Sequence, residues 1–471
     1  MQVPIIRGIY TDNGPDFRRA YPRNMVPVPV DQGISNGYLR PAAGIVQFGV
    51  GPGTDRGGIN WKGTMYRVMG TKLVSVSSTG AVTTLGDVGS GGQVIMDYSF
   101  DRLAIASGGR LYYWTGSTLQ QVTDPDLGAV LDVIWVDGYF MTTDGVFLVV
   151  TELNNPLAVN PLKYGSSEAD PDPVKSLLKL RNEVYALNRY TIEVFDNIGG
   201  DNFPFQRIEG ALIPRGCVGP HAAELFAETI AFMGSGRNEA ISIYLVAPGN
   251  AVPIATREIE QILATYSEEV LAQSVLETKV DKGHKHLLVH LPDQTLVYDA
   301  AASQIVQEPV WFTLDSGLGA RAQYRARGIV RCYDKWFAGD PTSSNIGELV
   351  DDVSTHYGDT IGWEFGTQIL YAAGNGAIMH ELELACLPGR VPLGDDPVIW
   401  TSYSLDGETW SMERATAAGR QGQRSKRIAW RMQGQMRHWR IQKFRGTSDA
   451  HVSVARLEAA IEPLFTRPGN G

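Results

Sequence analysis

Residues 252–304 read VPIATREIEQILATYSEEVLAQSVLETKVDKGHKHLLVHLPDQTLVYDAAASQ and hold the clearest helical pattern of the chain. Four apolar side chains recur there at i, i+3, i+4 and i+7, a spacing that places them on one face of a helix. The four are Ile259, Ile262, Leu263 and Tyr266. Thr256 precedes this face as a candidate N-cap, and Ser267 is a candidate cap for a second short helix. The pattern therefore predicts a helical pair within residues 256–274.

After the helical pair the hydrophobic period changes to two, which is typical of strands. Residues 286–291 alternate, Pro292-Asp293 supplies a turn, and residues 295–298 run back as a second strand. Strand–turn–strand units of this kind recur from residue 56 to about 355, and we count seven of them. Their spacing of roughly 40 residues is that of four-stranded propeller blades. We therefore predict a mainly β fold with a β-propeller over 56–355, of seven blades or alternatively six; a pair of generic β-sandwiches is the other interpretation.

The helical pair at 256–274 interrupts this series between the fifth and sixth units. Such an insertion either projects from a propeller face, where a partner can meet it, or caps the edge of a blade. The spacing of its apolar side chains is compatible with both arrangements, so both interpretations stay open.

The two ends of the chain differ from the repeating region. Residues 1–55 are rich in Pro, Gly and Asn, so we predict an extended but ordered N-terminal arm, held against the propeller or a neighbouring subunit. Residues 360–462 contain longer strand patterns, which predict a C-terminal β-sandwich or jelly roll. The last residues, 463–471, are predicted to form a flexible tail.

Composition is that of an ordinary globular protein, with 43% hydrophobic and 20% charged residues. The net charge of −10 argues against a surface that grips nucleic acid throughout, and is compatible with a wall that DNA slides past. Cys217, Cys332 and Cys386 form no C-x-x-C pair, so we expect free thiols in a reducing cytoplasm. We see no signal-peptide pattern and no apolar run of about 20 residues, so we expect no membrane anchor.

One segment carries the opposite charge. Residues 411–445 hold ten Lys and Arg against Glu413 alone, so the segment carries +9 and the rest of the chain −19. Interleaved tryptophans can mark a nucleic-acid groove. On a strand, however, Arg427 and Arg431 share one face, while Ile428, Trp430 and Met432 share the other, which we expect to be buried. We therefore favour a protein interface, with these candidates: Arg420, Arg424, Lys426, Arg427, Arg431, Arg437 and Arg440.

No pattern of catalytic or cofactor-binding residues is found, so we predict no enzyme and no cofactor. The chain has no phosphate loop, nucleophile elbow or H-E-x-x-H motif. His284 and His290 share a strand face but lie about 20 Å apart along an extended chain, so one ion cannot bind both. Residues 404–410, SLDGETW, resemble the Asp-box turn of sialidase propellers, which is a folding motif with a tryptophan packed beneath it.

The central stretch also carries a family resemblance. The runs PIAT-x-x-IE-x-I (253–262), Y-x-x-E (266–269), L-x-V-H-L-P (287–292) and L-V-Y-D-A (296–300) resemble the packaged-DNA stabilisation proteins, or tail hubs, of short-tailed bacteriophages. Weaker matches flank them at RNM (23–25), SNGYLR (35–40), YSLDGETW (403–410) and KRIAW (426–430). One departure is visible, because a Pro-Gly turn expected after the second of these reads Ala42-Ala43-Gly44.

This resemblance implies a structural protein of the virion tail, assembled in the host cytoplasm. Such a hub closes the channel below the portal and its adaptor ring, keeps packaged DNA in the head, and forms the conduit for ejection. It also implies a ring of copies, a hexamer, that carries tail spikes or fibres and a tip or needle, while DNA passes without specific binding. The alternative, from the Asp-box-like turn alone, is a glycan-binding or glycan-cleaving propeller.

Overall fold

The structure is a computed structural model that describes residues 2–5, 8–11, 17–29, 37–153, 155–200, 202–371 and 376–464. It is mainly β, with three short helices among the described residues. The chain divides into two compact units. One comprises residues 47–292 and 325–349, and the other comprises residues 1–46, 293–324 and 350–471.

The elements up to the helical pair follow in chain order: β1 (Gln2–Val3), β2 (Gly8–Thr11), β3 (Phe17–Ala20), β4 (Met25–Pro29), β5 (Gly37–Pro41), β6 (Gly44–Val50), β7 (Asp55–Trp61), β8 (Thr64–Met69), β9 (Lys72–Val76), β10 (Val82–Asp87), β11 (Ile95–Tyr98), β12 (Leu103–Ser107), β13 (Arg110–Trp114), β14 (Leu119–Gln121), β15 (Asp132–Val136), β16 (Tyr139–Thr143), β17 (Phe147–Glu152), β18 (Asn155–Ser166), β19 (Val174–Leu180), β20 (Glu183–Asn188), β21 (Ile192–Asn197), β22 (Phe205–Arg207), β23 (Gly216–Cys217), β24 (Ala223–Phe226), β25 (Thr229–Ser235), β26 (Ser242–Ala247) and β27 (Asn250–Pro253).

The remaining elements are α1 (Arg257–Leu263), α2 (Glu268–Leu271), β28 (Val275–Asp281), β29 (His284–His290), β30 (Thr295–Asp299), α3 (Ala300–Val306), β31 (Trp311–Leu314), β32 (Arg327–Cys332), β33 (Lys335–Gly339), β34 (Asn345–Val350), β35 (Gly362–Gly366), β36 (Leu370–Tyr371), β37 (Ala377–Cys386), β38 (Val398–Ser404), β39 (Arg414–Ala417), β40 (Ile428–Arg431), β41 (Gln435–Met436), β42 (Trp439–Thr447) and β43 (Val454–Pro463).

Seven successive groups of antiparallel strands match the seven units counted in the sequence. Within the unit of residues 47–292 and 325–349 they are β7–β10, β11–β14, β15–β18, β19–β22, β23–β27, the hairpin β28–β29, and β32–β34. We call these groups blades one to seven. Their turns follow local chemistry: Asp137 and Gly138 both have positive φ, 47° and 90°, as a two-residue type I′ turn requires.

The hydrophobic cores of this unit lie between neighbouring blades. Trp61 and Val68 of blade one pack with Leu103 and Ile105 of blade two, and similar clusters join blades two to three and three to four. Each blade therefore buries both of its faces, which explains why its central strands are apolar on both sides.

The strand β6 completes blade seven, where it pairs beside β34. Gly51 donates its amide to the Ser344 carbonyl at 2.8 Å, and the Phe48 ring lies 4.5 Å from the Phe337 ring. The first and last strands of this unit are thereby held in one sheet, which removes two free sheet edges.

The helical pair forms as predicted and packs on the blades. The Thr256 hydroxyl accepts the Ile259 amide, so Thr256 is confirmed as an N-cap. Ser267 occupies the second cap position but forms no side-chain cap hydrogen bond. Ile259 and Leu263 are fully buried, whereas Ile262 and Tyr266 are only half-buried. A third helix, α3, was not predicted by the helical pattern.

The unit of residues 1–46, 293–324 and 350–471 contains a β-sandwich. One sheet has the order β4-β5-β43-β37-β40, with β1 and β41 at its margins, and the other has the order β35-β42-β38-β39, with β36 beside β42. Phe365, Leu382 and Phe444 lie in the core between the sheets. The strands of the sandwich include the short β40, of four residues, and the long β43, of ten residues, which extends to Pro463. Residues 465–471 of the predicted tail lie outside the described residues.

The predicted N-terminal arm contains strands that belong to this sandwich. Met25 and Leu39, on β4 and β5, are completely buried in its core. Pro27 and Pro29 are tolerated because β4 is the last strand of its sheet, where no second neighbour needs their missing N–H groups. The described part of this segment is therefore ordered, but it differs from the extended arm expected from the proline content. Ser35 and Asn36 of the SNGYLR run lie outside the described residues.

The Arg23-Asn24-Met25 motif fastens the chain ahead of β4. Arg23 binds the buried Asp315 carboxylate with two bonds, Nε to Oδ2 at 2.6 Å and Nη2 to Oδ1 at 2.7 Å. Asn24, at φ 53°, donates its side-chain amide to the Gly362 carbonyl at 2.7 Å and accepts the Asp315 amide at 3.0 Å. Asparagine tolerates this left-handed backbone better than most residues. These hydrogen bonds give the motif a structural role.

The structure also describes the three cysteines and the length and polarity of the helices. Cys217, Cys332 and Cys386 are free thiols, the first two buried and the third half-buried. Among the described residues, no helix has both the length and the apolar character needed to cross a bilayer.

We expect Arg23→Ala to lower the free energy of unfolding by about 3 kcal/mol, because it leaves the buried Asp315 carboxylate without its cation. Arg19→Ala is the matched control, since the Arg19–Glu308 pair is 39% and 42% exposed and exposed pairs contribute less than about 1 kcal/mol. Urea unfolding of the full chain, followed by tryptophan fluorescence, measures both losses. Equal losses in the two variants would contradict the role given to Arg23.

Candidate functional site

A cavity of about 420 Å³ lies where the first blade strands converge. It is lined by residues of seven strands, β7, β11, β15, β19, β24, β28 and β32, one from each blade. We call this cavity the propeller channel. Its volume is that of a small-molecule pocket. A cavity of this volume is too small for a DNA duplex, because the major groove of a duplex alone is about 12 Å wide.

Carboxylates in this channel join each blade to the next. Asp97 on β11 accepts the Trp135 amide of β15 at 2.6 Å. Asp132 on β15 accepts the Leu177 amide at 2.7 Å and the Ser176 hydroxyl at 2.9 Å, both from β19. Burial raises the pKa of Asp97 and raises that of Asp132 to about 7, although these donors oppose the rise. Two successive blade seams are thus closed by an acidic side chain.

Glu277 closes the seam between blades six and seven in the same way. Its carboxylate accepts the Gly328 amide at 2.6 Å and the Ile329 amide at 3.1 Å, and His290 Nε2 lies 3.4 Å away. Burial alone would raise the pKa of Glu277, but the charge and hydrogen bond of His290 and the two amides lower it. His290 therefore lies beside a carboxylate of its own sheet.

Arginines bridge other seams. Arg56 donates to the Gly89 and Gly92 carbonyls, both at 2.7 Å, and to the Ser107 hydroxyl at 2.8 Å, which ties blade one to blade two. Arg67 is fully buried against Asp55 at 2.7 Å and also donates to the Arg327 carbonyl of blade seven at 3.2 Å.

Arg189 ties blade four to blade five and to the helical pair. It donates to the Ser235 hydroxyl at 3.2 Å and to the Glu268 carboxylate of α2 at 2.7 Å. Ser242 donates to Glu260 of α1 at 2.7 Å. The helical pair is therefore fixed to blades four and five, which favours the interpretation in which it caps a blade edge.

Glu224 on β24 is the channel carboxylate with the fewest donors. Among the described residues, its one hydrogen bond is from the neighbouring Leu225 amide at 3.0 Å. Burial raises its pKa to about 7, and the nearby charges of Glu277 and Asp132 add to the rise. The residue is half-buried and lines the channel.

The Asp-box-like turn has the hydrogen bonds expected of a folding motif. Asp406 accepts the amides of Glu408 and Thr409 at 2.9 and 2.8 Å, and the hydroxyl of Ser404 at 2.9 Å. The Thr409 hydroxyl, its amide and the Glu408 amide hold the pKa of Asp406 well below its usual range. Trp410 does not pack beneath the turn: it is 36% exposed, with the Lys443 ammonium 4.5 Å from its ring.

Much of the basic segment is neutralised within the sandwich. Arg427 on β40 pairs with both Glu381 and Glu383 on the neighbouring strand β37, and Arg431 pairs with Glu381 at 3.2 Å. Arg420 pairs with Asp396 at 3.0 Å. These pairs are exposed and screened by water, yet they leave fewer free charges than the sequence suggested.

Two sequence expectations for this segment are wrong. Arg440 is completely buried: its guanidinium lies 3.7 Å from the Tyr403 ring and donates to the Gln433 carbonyl at 2.6 Å, so it is not exposed for an interface. Burial lowers its pKa to about 10. Met432, expected on the buried face of its strand, is 82% exposed because β40 ends at Arg431 and Met432 takes a left-handed backbone of φ 53°.

Apart from the buried Arg440, the cations of the segment that form no ion pair within the described residues are Arg414, Arg424, Lys426 and Arg437. Arg414, which was not a candidate, donates to the Met432 carbonyl at 2.7 Å and so stands beside a thioether that is 82% exposed. Met412 lies two residues before it and is 90% exposed. We call Met412, Met432 and Arg414, together with the exposed Arg437 five residues after Met432, the methionine patch.

Glu224→Gln should flatten part of the pH dependence of stability. The pKa of Glu224, about 7, lies above the value near 4.3 of an exposed Glu. The folded chain therefore takes up the proton first, and the ionised carboxylate costs stability above about pH 7 that is relieved as pH falls. From about pH 8 to about pH 5 the stability advantage of the variant should shrink by on the order of 2 kcal/mol.

Urea unfolding at four pH values measures this difference. Glu228→Gln, a change of an exposed carboxylate in the turn that follows β24, is the control and should show a constant difference. The same constant difference for Glu224→Gln would refute the raised pKa.

The comparisons with known proteins agree with this architecture. The family model described as bacteriophage P22 Gp10, beta-propeller, matches residues 1–354, and that described as bacteriophage P22 Gp10, beta-sandwich, matches residues 362–462. The tail hub protein gp10 of Salmonella phage P22 is 27% identical over an alignment of 487 positions, which covers 98% of this chain and 99% of that protein.

Two solved structures match with low sequence identity and low structural similarity. The N-terminal domain of Nup159 matches with 9% identity and a TM-score of 0.40, over 70% of this chain and 98% of that one. The Pan2 WD40 domain of Neurospora crassa matches with 9% identity and a TM-score of 0.41, over 65% of this chain and 96% of that one. Neither similarity carries an argument about function. Because the propeller model alone matches most of the sequence, the chain belongs to the bacteriophage P22 Gp10 family.

Proposed function

We propose that this protein is a structural tail hub of a bacteriophage virion and acts without enzymatic chemistry. The observation that carries the proposal is the similarity to a tail hub protein over nearly the full length of both chains. The propeller channel adds support, because Asp97, Asp132 and Glu277 in it join neighbouring blades and its volume of about 420 Å³ is far below that of a DNA passage.

In the proposed role, copies of the chain form a ring, a hexamer, below the portal and its adaptor. The DNA path then runs along the ring axis, outside the propeller channel. The hub retains packaged DNA in the head, carries spikes or fibres and a tip or needle, and becomes the conduit when the genome leaves. A ring needs two different complementary surfaces on every copy, since head-to-tail contacts are heterologous.

The proposed interface lies on the basic segment, but on fewer residues than the sequence indicated. Arg424, Lys426 and Arg437 keep their charge free for a partner, whereas Arg420, Arg427 and Arg431 already have partners within the sandwich. Arg440 is withdrawn from the interface because it is buried.

The double variant Arg424→Glu/Arg437→Glu should lower incorporation into particles about tenfold or more, because reversed charges at a contact are strongly unfavourable. Its melting should match wild type within about 0.5 kcal/mol, since neither side chain has an ion partner in the fold. Arg110→Glu, at an exposed cation of blade two, is the control. Quantitative mass spectrometry of purified particles measures incorporation, and normal levels of the double variant would count against the interface.

The purified chain should bind duplex DNA only weakly and without sequence preference, in the range of about 10⁻⁴ to 10⁻⁶ M at physiological salt. The reason is that half of the cations in its basic segment form ion pairs within the described residues and the rest of the chain is acidic. Fluorescence anisotropy against salt concentration measures this.

Particles that lack the protein should release their DNA to added nuclease. Tight binding at high salt, or nuclease-resistant DNA in such particles, would overturn the proposed role.

A further inference from the structure

Blade three carries a contiguous apolar surface. Leu131, Val146 and Phe147 are 45%, 63% and 40% exposed. A Cβ placed on Gly145 would lie 3.3 Å from Leu131 Cδ1, so Leu131 rests against the turn that carries Val146. The Phe147 ring lies 5.8 Å from the Tyr164 ring. Single exposed apolar residues are ordinary, but adjoining ones mark interaction sites.

Acidic side chains border this surface. The Tyr164 hydroxyl donates to the Asp126 carbonyl, and Asp124 Oδ1 accepts the Asp126 amide at 3.0 Å, so Asp124 and Asp126 lie beside the Tyr164 ring. Asp144 accepts the amides of Val146 and Phe147 at 2.8 and 2.7 Å, which fixes it at the edge of the apolar side chains.

No cation neutralises this border. Within the described ranges, none of the three carboxylates forms an ion pair. We call Leu131, Val146 and Phe147, with the three carboxylates, the blade-three patch. It is apolar at its centre and uncompensated in negative charge at its rim, which is the reverse of the methionine patch.

We propose that the blade-three patch of one copy binds the methionine patch of a second copy. The charges are complementary, because Arg414 and Arg437 carry no ion partner on one side and the three carboxylates carry none on the other. The apolar parts also match: exposed methionine side chains are flexible and adapt to a rigid apolar surface such as Val146 and Phe147.

Such a contact joins two different surfaces, so it is head-to-tail and leads to a ring when the rotation closes. The inference rests on the proposed function, in which copies of the chain form a ring. It adds the two surfaces that meet.

Charge exchange tests the contact. Asp126→Lys and Arg437→Glu should each lower incorporation into particles about tenfold, and the two together in one chain should restore most of it, because the exchanged pair attracts again. The Asp126 carboxylate accepts no hydrogen bond within the described fold, so its reversal leaves the turn intact. Glu228→Lys combined with Arg437→Glu is the matched control and should give no rescue.

Cross-linking tests it without changing charge. A chain with both Val146→Cys and Met432→Cys, treated in particles with a short bis-maleimide, should give a ladder of covalent oligomers. Each single variant should give none beyond the wild-type background, because a head-to-tail contact joins two different positions. The wild-type chain controls for its own thiols, of which two are buried.

The outcomes separate this inference from the proposed function. If wild-type protein is present in particles but neither rescue nor ladder is seen, the blade-three contact is wrong and the hub role stands. A single-cysteine dimer would likewise refute it, in favour of a symmetric contact. A cross-link from Met432→Cys to a different tail protein would assign the methionine patch to that partner and overturn the contact between copies.

Discussion

Closing a ring of blades leaves backbone amides at the seams, and this constraint governs most of the propeller. Neighbouring inner strands diverge from one another, so their amides need acceptors from side chains. Asp97, Asp132 and Glu277 supply carboxylates at three seams, and Arg56 and Arg189 donate across two others. An unsatisfied buried amide costs about 1–3 kcal/mol, so these bridges contribute to the stability of the propeller. The acidity of the channel is a consequence of this architecture, and it raises the pKa values of its own members.

The charged side chains of this protein therefore indicate a function only after those with partners inside the fold have been set apart. The channel carboxylates belong to the seams, and Arg427 and Arg431 belong to β37. What is left over is small and localised: a few cations at the sandwich surface and the three carboxylates of the blade-three patch. Total charge favoured an acidic wall past which DNA slides, whereas the geometry assigns the inner acids to holding blades together.

The sequence predicted what is local and missed what depends on distant neighbours. Asp137-Gly138 and Thr256 act through their own turn and helix, so pattern alone found them. The helix α3 lacks an apolar face and is marked only by Asp299, which caps it ahead of three alanines. Arg440 could not be told apart from its exposed neighbours, because its burial depends on Tyr403 of another strand. The proline-rich start was predicted to be an extended arm, yet part of it forms strands, because an edge position has room for both prolines of β4.

The placement of β6 has a consequence for how the chain is made. Its partner β34 begins at Asn345, so nearly the whole propeller leaves the ribosome before blade seven can close. Until then β6 presents an unpaired edge, and the early blades hold an open arc whose terminal faces expose apolar side chains such as Phe48. Because pairing between distant strands is slow, this interval is when two nascent chains can exchange β6 strands. During its synthesis the chain can thus mispair with another copy until its last blade is complete.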